Sequence, residues 1–137
     1  MKLQITVVTP EKTLLNEEAD EIVIPTVEGE ISVLPEHIPL LSQIAPGELI
    51  IKKGNTTDHL AVMGGFIEVG KNAVTILADY AVRAKDIHTG KAQEAKERAE
   101  RAMKDKTSGN EFKVAQDEFI KAILELKVAK RVGRISA

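Results

Sequence analysis

Residues 60–76 read LAVMGGFIEVGKNAVTI, two apolar alternations separated by paired glycines and a Gly-Lys-Asn step. Leu60 and Val62, then Val74 and Ile76, recur at a period of two. That spacing gives a strand one buried and one wet face. Gly64-Gly65 follows one strand-like run and leads into another, FIEV, so it marks a bulge or a close backbone approach. Gly70-Lys71-Asn72 carries turn chemistry. Outward from this stretch the same alternation returns in Leu3, Ile5 and Val7, in Ile22 and Ile24, in Ile31 and Val33, and in Leu49 and Ile51. Pro10-Glu11, Gly29, Pro46-Gly47 and Lys53-Gly54-Asn55 punctuate those runs. Short strands at a spacing near ten residues predict an antiparallel sandwich or barrel.

After Asp86 the period changes. Thr89 is the expected N-cap of a helix running through KAQEAKERAERAMK, all good helix formers. Ala92, Ala95, Ala99 and Ala102 form one stripe of small residues. Ser108 and Glu111 have capping-box spacing for a second helix, where Phe112, Ala115, Phe119, Ala122, Leu126 and Ala129 recur at +3 and +4. Matching stripes and a short loop predict an antiparallel helical hairpin. The expected class is therefore α+β and mainly β, with a β-sandwich over 1–86 and a hairpin over 87–137. Four alanine methyls at about 0.8 kcal/mol each give the first helix only roughly 3 kcal/mol of docking, so the hairpin reads as a movable arm.

Composition narrows the function. With 137 residues, 43% apolar and 29% charged, the chain has the makings of a globular core. It has no cysteine, which excludes disulfides, thiolate zinc sites and Cys nucleophiles. One Tyr, three Phe and no Trp leave few stacking platforms for nucleic acid. MKLQITVVTP lacks a signal-peptide core, and no stretch approaches the roughly 18 apolar residues of a membrane span. A protein without direct membrane insertion is expected. Residues 1–87 hold seven Lys/Arg against thirteen Asp/Glu, net −6, whereas 88–137 hold twelve against eight, net +4. A positive arm suits an acidic partner or its own acidic domain.

Catalytic patterns are missing. His37, His59 and His88 lie far apart and outside any HExxH or Cys/His cluster, so no metal site is expected. There is no phosphate-binding P-loop and no nucleophile elbow, and Glu17–Glu21 (EEADE) reads as solvated turn charge. His37 has three readings: a loop residue bonded to the backbone, an interface contact, or a ligand or general base. Pro35 and Pro39 stiffen the loop around it, which suits docking because a stiff loop loses little entropy on binding. A free-standing β-sandwich binding module with a basic helical arm is the alternative reading.

The residues also resemble a known family over essentially the whole chain. Residues 29–41 (GEISVLPEHIPLL), the following Pro46-Gly47, the stretch VMGGFIEVGKNAVTILADYAVRAKDI, and EAKERAERAM in the hairpin are similar to the ε subunits of bacterial and chloroplast F-type ATP synthases. Ser32 stands where the family has glycine and Met63 where it has serine. The resemblance implies a sandwich of about ten strands and two C-terminal helices, in a non-catalytic rotor subunit of the central stalk. Its implied partners are the γ subunit, the c-ring and the α/β catalytic head, not nucleic acid. Its implied place is the cytoplasmic face of the plasma membrane, or the stromal face of the thylakoid. Glu30 and His37 fall in the loop that faces the ring. Arg98, Arg101, Lys127, Arg131 and Arg134 are the arm's candidate contacts to an acidic segment of the head, where the extended arm limits ATP hydrolysis. No cofactor is required. A regulatory ATP motif corresponds to Lys91, Ala92 and Arg98, with His88 in place of its acid and Lys91 in place of its arginine. Those exchanges lose a carboxylate and a planar fork suited to phosphate.

Overall fold

The computed structural model describes residues 1–105 and 109–133. Two compact units divide between Arg83 and Ala84. In the first, eight strands follow in order: β1 (Leu3–Val8), β2 (Thr13–Ala19), β3 (Glu21–Thr26), β4 (Gly29–Val33), β5 (Leu40–Gln43), β6 (Gly47–Lys53), β7 (Thr56–Val69) and β8 (Ala73–Arg83). The sheet order is β2-β1-β8-β7-β6-β3-β4, and β5 also pairs with β7. All pairings are antiparallel except β1 with β8, which is parallel.

The count is eight rather than about ten, and β7 shows why. Its first half pairs with β6 and its second half with β5, so one 14-residue strand does work assigned from sequence to two. Leu60 and Val62 are buried at even positions, Ile67 and Val69 at odd ones. A strand with strict alternation cannot bury both sets on one side. Gly64 and Gly65, at φ +69° and +101°, reset the phase between them. β8 makes the same change, from buried Val74, Ile76 and Ala78 to the core-packed Ala81. Paired strands that switch side together turn the sheet back on itself, the corner of a sandwich. The alternating residues predicted for the core are fully buried, save Ile31, which is half-buried against it.

Residues 17–21 are not turn charge. Glu17 lies in β2 and Glu21 opens β3, because the alternating Leu15 and Ala19 and the following Ile22 are buried. Their carboxylates meet the β6–β7 hairpin and the N-terminus. Glu17 accepts from Lys53 Nζ at 2.9 Å, and Asp58 lies 3.1 Å from the same nitrogen. Asp20 pairs with Lys2 and accepts the Gly54 N–H at 2.6 Å. The hydrogen bond from Lys2 and then that from Gly54 hold the Asp20 carboxyl below its ordinary range, while Glu17 and then Asp58 raise Lys53. A lowered carboxyl contributes stability above its unfolded value near pH 3.9 and loses it as the pH falls through the folded one. Lys53 has the opposite sign, its contribution fading only above the lysine range. Asp20→Asn is accordingly expected to flatten the acid limb of the stability–pH profile below about pH 4. Urea unfolding at pH 3, 4 and 7 checks this, and parallel profiles for wild type and variant would contradict it.

In the second unit a 3₁₀ turn (Ala84–Asp86) leads into α1 (Thr89–Asp105), and α2 (Gly109–Arg131) follows. The helices pack on each other, and α2 also reaches the 3₁₀ turn, so it returns toward the start of α1. Ala92 and Ala99 on α1, and Ala115, Ala122 and Ala129 on α2, are buried at seven-residue spacing. Such a seam lets two helices approach closely. Of the side chains that widen α2, Leu124 and Val128 are buried, whereas Ile120 and Ile123 are more than a third exposed. The cap of α1 differs from expectation. The Ala92 N–H donates to the His88 carbonyl at 2.9 Å and the Lys91 N–H to His88 Nδ1 at 3.2 Å. His88 is therefore the N-cap, and Thr89 is the first helical residue. Ser108, expected to cap α2, lies outside the described residues.

Candidate functional site

The loop joining β4 to β5 is fixed by unusual backbone geometry. Glu36 has φ +67°, the left-handed region, although it is not glycine. Two acceptors from the β7–β8 turn hold it there: its N–H donates to the Lys71 carbonyl at 2.8 Å and to Asn72 Oδ1 at 3.1 Å. The His37 N–H donates to the Leu34 carbonyl at 3.2 Å, closing a turn. His37 Nδ1 lies 2.7 Å from the Ile38 carbonyl, which can only accept, so Nδ1 carries a hydrogen. In the neutral ring, Nε2 then keeps its lone pair for an outside donor. This is the backbone-bonded reading of His37, and it leaves the interface reading intact. Glu30 is not in this loop: it is exposed in β4, opposite Pro25 and one pair from the β3–β4 turn. Among the described residues, no three His, Asp or Glu side chains gather as a metal site.

Left-handed geometry costs an L-residue about 1–2 kcal/mol, which glycine avoids. Glycine also adds about 0.4–1 kcal/mol of unfolded-state entropy. Glu36→Gly is therefore expected to raise stability by about 0.5–1 kcal/mol, the difference of those terms. Chemical denaturation measures it, and a destabilised variant would show that the glutamate side chain contributes more than its backbone costs.

Around this loop lies an apolar surface that alternation alone did not reveal. Cross-strand partners share a face. Gln43 of β5 stands opposite Phe66 of β7, Phe66 opposite Leu77 of β8, and Leu77 opposite Val8 of β1. Leu41 is diagonal to Phe66, two residues from Gln43 along β5 and so on the same face. Leu41, Phe66 and Leu77 are 69%, 52% and 54% exposed; Leu34 and Ile38 of the loop are exposed as well, the latter 76%. Beside them runs a shallow open groove lined by Pro39, Leu40, Leu41, Glu68, Val69 and Gly70. A signal was present in the sequence: Phe66-Ile67 and Ile76-Leu77 are apolar in both phases, so one member of each pair had to face outward.

In the helical unit, Arg98 and Arg101 are exposed one turn apart on α1, and Lys127 and Arg131 are exposed one turn apart on α2. Arg134 lies outside the described residues. Lys91 and Arg98 are seven residues apart, on one face and about 10 Å along the helix axis. Ala92 is buried in the helix seam and its N–H is taken by His88. The structure thus aligns two cations of the nucleotide motif and turns the third residue away from them. Among the described residues, no helix is long and apolar enough to cross a membrane.

Comparison with known proteins agrees with this architecture. The model of the ATP synthase delta/epsilon chain beta-sandwich domain matches residues 2–84, and that of the delta/epsilon chain long alpha-helix domain matches residues 85–130. The ATP synthase epsilon chain of Herpetosiphon aurantiacus is 42% identical over 130 residues, 95% of this chain and 96% of that one. The epsilon chain of Syntrophobacter fumaroxidans is 44% identical over 130 residues, 95% and 97% of the two chains. A chain in the Euglena gracilis mitochondrial ATP synthase, solved with its c-ring, superimposes with a TM-score of 0.67 at 26% identity, covering 96% of this chain and 79% of that one. The fold recurs in the central stalk and c-ring assembly of the Tetrahymena thermophila enzyme, with a TM-score of 0.58 at 18% identity and 96% of each chain covered. On the strength of both domains and of relatives aligned along nearly its full length, this chain belongs to the ATP synthase delta/epsilon family, among its epsilon chains.

Proposed function

We propose that this chain is a non-catalytic rotor subunit, coupling ion-driven rotation of a c-ring to ATP synthesis through the γ subunit. In this reading residues 1–86 form the docking domain and residues 87–137 the regulatory arm. The observation that carries it is the pairing of a stiffened loop with an exposed apolar sheet face on one rigid sandwich. Torque passes between bodies only where the contact resists shear, and a loop whose Glu36 and His37 N–H groups are held by Lys71, Asn72 and Leu34 does so. Glu30 and the free Nε2 of His37 are the polar groups offered to the ring loops. The row Leu41, Phe66, Leu77 is the apolar seat for γ. Scattered exposed leucines need no explanation, but a contiguous row on one face does.

The arm reading draws on charge and packing. Its seam of alanines gives a weakly held helix pair, and its cations face water. Extended against the acidic part of the head, Arg98, Arg101, Lys127 and Arg131 would oppose rotation in the hydrolysis direction. The complex lies at the cytoplasmic or stromal membrane face, with this subunit peripheral to it. Lys91 offers a nucleotide a point charge where the family's motif has a planar arginine fork, and His88 takes the place of its carboxylate, so ATP would be held weakly here.

Reconstitution with α, β and γ subunits tests the reading. Full-length chain is expected to bind γ and lower ATP hydrolysis, while a version ending at Lys85 binds γ and leaves hydrolysis high. A complex to which neither version binds would overturn the rotor assignment. Equal hydrolysis with both versions would overturn the arm alone.

A further inference from the structure

We propose that His88 is a pH-sensitive N-cap of α1, made while the imidazole is neutral and lost when it is protonated. The geometry is that of a helix cap. The His88 carbonyl accepts from the Ala92 N–H at 2.9 Å and His88 Nδ1 accepts from the Lys91 N–H at 3.2 Å. An accepting Nδ1 has its lone pair free, so the ring is neutral with its hydrogen on Nε2. That lone pair is also where an added proton binds. Imidazolium has two donors and no acceptor, so the proton and the Lys91 N–H compete for one site. Ser, Thr, Asn and Asp caps keep their acceptor from pH 8 to 5, and histidine is the side chain that changes charge there.

A second effect has the same sign. The helix N-terminus carries partial positive charge, which an imidazolium opposes. The first turn of α1 contains no acidic residue to offset it. Lys91 is the other cation there, Lys85 and Asp86 flank it in the 3₁₀ turn, and Glu125, Lys127, Lys130 and Arg131 lie on the returning end of α2. None of these is a histidine, the side-chain type whose charge ordinarily changes between pH 8 and 5. The remaining histidines behave differently. His37 Nδ1 already donates to the Ile38 carbonyl and goes on donating when protonated. His59 Nδ1 sits 3.0 Å from Glu48 and gains an ion pair when protonated. Acidification thus removes a hydrogen bond at His88 while leaving or strengthening those of the other two. Any effect on ATP hydrolysis rests on the arm reading above, whereas the switch itself belongs to the chain alone.

Amide exchange measured by NMR on the full-length chain tests it. Between pH 7.5 and 5.5 the protection factor of the Lys91 amide is expected to fall about tenfold, combining the lost cap with the added charge. The fall should track the titration of the His88 ring resonances. In His88→Asn, whose side-chain oxygen caps without titrating, Lys91 protection should stay within about twofold across the same range. Unchanged Lys91 protection in the wild type would overturn the switch, and so would an equal fall in the variant. The wild-type measurement decides the matter even if the variant folds poorly, and neither depends on whether the hairpin regulates hydrolysis.

Discussion

Gly65→Ala is expected to destabilise the sandwich by about 4 kcal/mol or more, a large share of the roughly 5–15 kcal/mol that holds a domain together. At φ +101° Gly65 lies outside even the left-handed region that other residues visit, which costs an L-residue about 1–3 kcal/mol. The added Cβ would also enter the Leu77 carbonyl oxygen and come within 2.9 Å of the Ala78 Cα. Those obstacles are backbone atoms of β8 and cannot rotate aside. Relief requires β7 and β8 to part where Phe66 pairs with Leu77 and Gly65 with Ala78, at the corner where both strands change phase. Gly54→Ala is the control: it has φ +56° with nothing within 4 Å of the new methyl, and its cost is expected to stay near 1 kcal/mol. Gly64→Ala should fall between them, since its Cβ meets the movable Asp79 carboxylate rather than backbone. Urea unfolding of the three variants ranks them. A Gly65 variant as stable as the Gly54 one would mean that the corner does not depend on close backbone approach.

That corner also marks how far the sequence could be read. Each strand with clean alternation was legible, because burying Leu3, Ile5 and Val7 on one face leaves Gln4 and Thr6 outside by geometry alone. The paired glycines were legible as a close approach, but not as the middle of a continuous strand. Glycine breaks and glycine phase changes look alike until the partner strand is known. The parallel pairing of β1 with β8 joins residues about seventy positions apart, and no local pattern encodes it. Glu17 and Glu21 misled for a related reason. Four carboxylates near a turn look solvated unless Lys52 and Lys53, from a distant hairpin, are placed beside Glu21 and Glu17. At the helix start, the preference of threonine for caps outweighed histidine, and only the ring's position showed otherwise. Pro35 and Pro39 marked the loop between β4 and β5 as constrained, but they are only part of what fixes its backbone. The other part is Glu36, whose geometry is paid for by hydrogen bonds to the β7–β8 turn.

Phe66→Glu is expected to weaken association with the γ-containing complex about a hundredfold while changing the chain's own stability by less than about 0.5 kcal/mol. The asymmetry follows from exposure. Phe66 is 52% exposed on the outward face of β7, so a carboxylate there meets water in the free subunit. In a docked complex the same carboxylate would be desolvated against an apolar surface without a partner, costing several kcal/mol, and the contact area of the ring would be lost as well. Phe66 is central in the row, with Leu77 across one strand boundary and Gln43 across the other, and the centre of an apolar patch carries most of its binding energy. Asn55→Glu, at the β6–β7 turn, introduces the same charge outside that row and should bind as the wild type does. Sedimentation of each variant with the α, β and γ subunits reads out binding, and thermal unfolding of the free chains reads out stability. Wild-type binding by the Phe66 variant would remove the apolar face from the interface and leave Glu30 of β4 and the loop at His37 as its remaining candidates. Lost binding by both variants would instead indicate that negative charge, and not the buried ring, decides association, so that raising the salt concentration would restore it.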